Sequence, residues 1–130
     1  KISDIIEDYF GRIWIGTSIS GLYSYNVRTQ KITSYQRSDH PNSLTKNVIT
    51  TLAIDNKKRL WVGTYGQGLC RYNDETDDFT RYDYLKLPNK IITSIIPKGD
   101  LLWISTNKGL AVYNPDTEYL NLFEIKRTIQ

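Results

Sequence analysis

The sequence predicts an all-β chain built from three copies of a four-stranded antiparallel unit. Three observations carry that expectation. The stretches Ile13-Trp14-Ile15-Gly16-Thr17, Leu60-Trp61-Val62-Gly63-Thr64 and Leu102-Trp103-Ile104-Ser105-Thr106 are versions of one another, and their tryptophans, the only three present, stand 47 and 42 residues apart. A Gly-Leu pair follows each tryptophan (Gly21-Leu22, Gly68-Leu69, Gly109-Leu110), and a Tyr-Asn pair comes three residues beyond the leucine (Tyr25-Asn26, Tyr72-Asn73, Tyr113-Asn114). Finally, no segment has helical periodicity, whereas short β-branched and aromatic runs alternate with turn-forming residues. Anchors agreeing in order at a period in the forties mark an internal repeat, which decides the fold before any local propensity does.

The first unit, residues 1–40, opens with the β-branched run Ile2-Ser3-Asp4-Ile5-Ile6-Glu7, a first strand. Tyr9-Phe10-Gly11 turns into a second strand over 12–17. There Ile13, Trp14 and Ile15 are consecutive apolar residues rather than an alternation, so both faces of that strand are expected to be covered. Ser18 to Gly21 turn into a third strand over 22–26, and Val27-Arg28-Thr29-Gln30 into a fourth over 31–36. Asp39-His40-Pro41-Asn42-Ser43 connects to the second unit, residues 41–87, its proline excluding helix. Strands are expected there over 48–54, 60–64, 69–73 and 79–82. Leu87-Pro88-Asn89-Lys90 leads to the third unit, residues 88–130, with strands over 91–96, 101–106, 110–114 and 119–125.

Four short strands per unit and one tryptophan per repeat at this period are the mark of a β-propeller; solenoids of the same period are helical. Each tryptophan is expected to wedge between neighbouring blades. Gly21, Gly68 and Gly109 suit turn positions. Propellers close with four to eight blades, so three would leave the outer faces of the first and third bare, and the chain is expected to be a partial propeller. The absence of methionine points the same way, to a segment of something longer.

Composition excludes more than it assigns. Seventeen basic and fourteen acidic side chains are mixed along 130 residues for a net charge of +3, too weak and dispersed for nucleic acid or an anionic membrane surface. Lys57-Lys58-Arg59, the densest basic run, reads as a solvated turn. No apolar run approaches the ~20 residues of a bilayer span, and no signal peptide is visible. Cys70 is the sole cysteine, which precludes an internal disulfide; it aligns with Tyr23 and Ala111 at a packing position.

Around Asp55 to Thr64, with Gly68-Leu69 and Tyr72-Asn73 following, the chain resembles a two-component regulator propeller repeat. The first unit, Glu7-Asp8-Tyr9-Phe10-Gly11-Arg12-Ile13-Trp14-Ile15-Gly16-Thr17, is closer still to that pattern, and Asn42-Ser43-Leu44-Thr45-Lys46-Asn47 resembles its inter-blade linker. The third unit departs: Pro97 and Lys98 replace the acidic pair, Ser105 replaces the glycine, and its turn is a residue shorter. The resemblance implies the sensor region of a hybrid two-component system, a seven-bladed propeller on the periplasmic side of the inner membrane. An Ig-like segment, one membrane span, a histidine kinase and a response regulator would follow it, and oligosaccharides released from a polysaccharide would be the signal. The expected partners are therefore an oligosaccharide ligand, the other blades of the parent chain and a second copy of the parent sensor, with no nucleic acid.

No catalytic residues, cofactor or metal are expected. His40, the only histidine, lies in a Pro-containing connector and reads as a solvated loop residue. Glu7 and Asp8 point to opposite faces of a strand and cannot act as an acid/base pair. Asp74-Glu75-Thr76-Asp77-Asp78 reads as a solvated hairpin, a Ca²⁺ site there lacking any known loop spacing. Asp8 and Asp55 resemble members of an Asp-box, or else cap the turn before the tryptophan strand through backbone amides. Binding is more promising. In an up-and-down blade the second-to-third turns and the inter-blade connectors share one face, so Ser18, Ser20, Tyr65, Gln67, Asn107 and Lys108, with His40, Asn42, Asn89 and Lys90, form the candidate ligand face. Amides, hydroxyls and an aromatic ring suit a sugar.

Overall fold

The computed structural model describes residues 1–123. It contains twelve strands in chain order: β1 (Ile2–Glu7), β2 (Arg12–Thr17), β3 (Leu22–Asn26), β4 (Lys31–Tyr35), β5 (Ile49–Ile54), β6 (Leu60–Thr64), β7 (Leu69–Asn73), β8 (Asp78–Arg81), β9 (Ile92–Lys98), β10 (Leu101–Thr106), β11 (Gly109–Asn114) and β12 (Tyr119–Phe123). They form three antiparallel meanders, β1–β4, β5–β8 and β9–β12. Strand ends differ from the sequence expectation by one or two residues, the normal uncertainty of fraying ends; the expected continuation of the last strand to Ile125 lies outside the described residues.

Successive residues point to opposite faces, so register assigns each side chain to a neighbour. In the first sheet Trp14 stands in a row with Ile6, Ser24 and Thr33 and faces the second sheet. There it joins one core cluster with Leu52, Val62, Tyr72 and Phe79, plus Leu44 from the connector. Trp61 shares a row with Ala53, Arg71 and Thr80 on the opposite face of the second sheet. Its cluster includes Ile92, Ile95, Leu102, Ile104 and Tyr113 of the third. All five residues of β6 are buried, which is why its apolar residues do not alternate. The first strands β1, β5 and β9 lie against one another, the inner edge on which the blades converge.

The repeat motif is accounted for position by position. Gly16 and Gly63 permit close approach by the next blade: an added Cβ would stand 2.6 Å from Ile49 Cγ2 and 2.8 Å from Ile92 Cγ2, respectively. Thr17, Thr64 and Thr106 each donate their hydroxyl to the carbonyl of the glycine that follows, at 2.8, 2.7 and 2.8 Å. Gly21 and Gly68 take φ of +81° and +70°, where a Cβ is strained. In the first and third units the asparagine of Tyr-Asn caps the next turn: Asn26 Oδ1 accepts from the Arg28 and Thr29 amides, and Asn114 Oδ1 from those of Asp116 and Thr117.

Trp103 occupies the equivalent register position, with no further blade beyond it among the described residues. It lies on the outward face of the third sheet, stacked on Phe123 at 5.8 Å, where with Ile96 and Leu110 it lines a hollow of about 250 Å³. The outward face of the first sheet likewise exposes Ile5 and Ile32.

Candidate functional site

The β2–β3, β6–β7 and β10–β11 turns lie at one end of the three sheets and are tied into a row through the connectors. The Gly21 amide donates to Asn47 O at 2.9 Å and the Tyr65 amide to Val48 O at 2.9 Å. Gly66 and Gly68 donate to Lys90 O, and Asn107 to Ile91 O. Ser18 is held by its amide on Lys1 O, and the Ser20 carbonyl accepts from Gln36 Nε2. Ser20, Tyr65, Gln67, Asn107, Lys108 and Lys90 are exposed along this row, with Ser18 and Asn89 half-buried. Beside Gln67, a hollow of about 280 Å³ is lined by Arg37, Lys46 and Arg81 against Asp83, and also by Thr45. Thr45 is buried, and its hydroxyl has no hydrogen-bond partner among the described residues. With Lys90 and Lys108 this end of the molecule is cationic.

His40 and Asn42 are placed elsewhere. Their connector runs down the outer strand β8, so that Asn42 Nδ2 reaches Asp78 Oδ2 at 3.2 Å and Asn42 O accepts the Phe79 amide. Asp78 is the first residue of β8, at the end of the blade opposite Tyr65 and Gln67. Nearer the Gln67 end, the guanidinium of Arg81, the last residue of β8, donates to the carbonyls of Ser38, His40 and Ser43 at 3.0 Å. His40 Nδ1 accepts the Asn42 amide, an internal turn contact.

The opposite end carries a repeated ionic relay. Asp8 Oδ1 accepts the Phe10 and Arg12 amides at 2.8 and 3.0 Å. Its Oδ2 accepts Trp14 Nε1 at 2.8 Å and Arg12 Nε at 2.7 Å. Asp55 repeats this with Lys57, Arg59 and Trp61 at 2.9, 3.0, 2.8 and 2.6 Å. The expected turn cap is therefore present, and to it are added an indole hydrogen bond and an ion pair. Burial alone would raise the Asp8 carboxyl, but the Trp14 and backbone donors and the Arg12 charge bring it below the usual carboxylate value. Each arginine then reaches into the next sheet, Arg12 Nη2 to Asp74 at 2.6 Å and Arg59 Nη1 to Asp116 at 3.0 Å.

The acidic hairpin, expected to be merely solvated, is bonded at Asp74, Asp77 and Asp78. Asp74 takes Arg12, Asp77 Oδ1 accepts both Tyr35 and Tyr72 hydroxyls at 2.6 Å, and Asp78 accepts from Asn73, Thr76 and Asn42. Among the described residues no group of acids, histidine or cysteine could hold a metal ion, and no helix is long and apolar enough to cross a membrane.

The two component regulator propeller family model matches residues 1–18 and 43–66. Over 95% of its length the chain superposes on 18% of the extracellular domain of BT3049 from B. thetaiotaomicron, assigned as a hybrid two component system, at 26% identity and a TM-score of 0.85. A second extracellular domain, that of BT4673 from the same organism, is 29% identical over 88% of this chain and 16% of that one, with a TM-score of 0.74. Virginiamycin B lyase from Staphylococcus aureus shares the fold alone, at 15% identity and a TM-score of 0.75 over 98% of this chain and 42% of that one. No curated protein matches. The chain spans less than a fifth of either extracellular domain. The two matched segments carry the tryptophan motifs around Trp14 and Trp61, and there the chain is similar to two component regulator propeller repeats.

Proposed function

We propose that the chain is a non-catalytic part of the periplasmic sensor region of a hybrid two-component system, which recognises glycan-derived oligosaccharides and signals to a histidine kinase. The observation that carries this reading is the superposition of nearly the whole chain, at a TM-score of 0.85, on an extracellular domain assigned to such a system. The row of exposed hydroxyls, amides and Tyr65 at the cationic end supports a polar ligand there. Further blades of the parent would cover the apolar faces around Ile5 and Trp103, and ligand binding or packing between sensor copies would change the pose of the downstream kinase.

Calorimetry with a panel of oligosaccharides tests the reading. Binding without turnover is the expected result. No binding to any glycan would favour a scaffold for protein partners, the reading that the bare apolar faces support second. Product formation would instead make the chain part of a glycosidase or lyase propeller.

A further inference from the structure

A second cleft opens at the end opposite the row of turns, formed by the second blade with Phe10 of the first at its side. It is an open depression of about 530 Å³, in the size range of small-molecule sites. Phe10 of the β1–β2 turn forms one wall; Lys58, Arg71, Asn73, Glu75 and Thr76 line others. Phe10 is 62% exposed and belongs to neither core cluster, yet it is held in place. Its amide is fixed on Asp8, and the Arg12 guanidinium lies 5.5 Å from its ring. An exposed aromatic ring backed by a guanidinium offers a stacking surface to a flat apolar partner.

The facing wall is equally rigid. Asp74 is clamped by Arg12, and Asp77 by two tyrosine hydroxyls, which leaves Glu75 and Thr76 at the rim. Among the described residues the nearby charges largely cancel. Arg59 pairs with Asp55 and Asp116, Lys57 with Asp116, and Asp74 with Arg12, so Lys58 and Arg71 stand against Glu75. A polyanion would gain little from such balance. A pyranose ring fits it better, presenting a C–H face to the aromatic and equatorial hydroxyls to carboxylate and guanidinium groups.

We propose that the cleft beside Phe10 binds a pyranose unit of a neutral oligosaccharide, stacked on Phe10 and hydrogen-bonded by Arg71 and Glu75. The ligand class rests on the glycan-sensing reading above; the place rests on the cleft itself.

Amide NMR spectra of the full chain, titrated with maltohexaose, xylohexaose, mannohexaose and hexagalacturonate, test the assignment. A neutral hexasaccharide is expected to shift residues 9–12, 57–59 and 73–76. Phe10→Ala should weaken that binding about tenfold or more, as loss of an aromatic anchor does, while Phe10→Tyr and Tyr65→Ala leave it within about twofold. Phe10 is exposed, so the alanine variant should fold, which its thermal melt verifies. Shifts confined to residues 18–20, 65–68 and 106–108 and unmoved by Phe10→Ala would overturn this site while leaving glycan sensing standing. Preference for hexagalacturonate would overturn the neutral class, and no binding by any of the four would overturn both readings.

Discussion

Asp8→Asn isolates what a single carboxylate contributes to the junction of two blades. The variant keeps the shape and leaves a carbonyl oxygen for the Phe10 and Arg12 amides. It places an NH₂ group, however, against the Trp14 indole N–H and Arg12 Nε, which the carboxylate meets at 2.8 and 2.7 Å. Removing one member of a buried ion pair costs about 3–5 kcal/mol. Here Arg12 retains Asp74 at 2.6 Å and its side chain is 23% exposed, which lowers the expected loss to about 3 kcal/mol, the indole bond included. Urea unfolding followed by circular dichroism measures it, with an unchanged m-value showing that the native state is intact. The pH dependence has a definite sign. Because the folded Asp8 carboxyl lies below its ordinary 3.8, its stabilisation is complete above that value and is lost as pH falls through the depressed one. Wild type and variant should therefore converge in acid. A loss under about 1 kcal/mol at neutral pH, or a gap that stays constant on acidification, would refute the argument.

Trp61→Ala should cost about 3–5 kcal/mol by the same assay, whereas Trp103→Ala, whose ring stacks only on Phe123 and lines an open hollow, should cost about 1 kcal/mol. Equal losses would contradict the blade assignment. Gly63→Ala drives a methyl group to 2.6 Å from Thr51 Cγ2 and 2.8 Å from Ile92 Cγ2 and should lower stability by about 1–3 kcal/mol through overpacking, visible as an earlier thermal melt. Cys70 is fully buried, and burial pushes its thiol up to about 11. A thiol reagent at pH 8 should therefore label it only as fast as the protein unfolds; prompt labelling of the native chain would refute that burial.

The repeat itself determined the strands and much of their packing. A period in the forties, an unalternating apolar run at each tryptophan and glycines at fixed offsets are local signals, and the sheets they imply are those observed. The turn-capping role of Asp8 and Asp55 was legible for the same reason, since its backbone partners lie within four residues. Trp103 holds the same register position as Trp14 and Trp61, on the outer face that the repeat count expected to be bare.

Tertiary structure alone decided the rest. Arg12 meets Asp74 across 62 positions, and Tyr35 shares Asp77 with Tyr72 across 42; such pairs depend on the angle at which two sheets meet, which no periodicity encodes. Asn42 left the row of Tyr65 and Gln67, taking His40 with it, because it bonds Asp78 and Phe79 along β8, and a connector carries no repeat from which to read its path. The cleft beside Phe10 was invisible for a related reason. Tyr9-Phe10-Gly11 read only as a turn, and the wall opposite it belongs to the next blade.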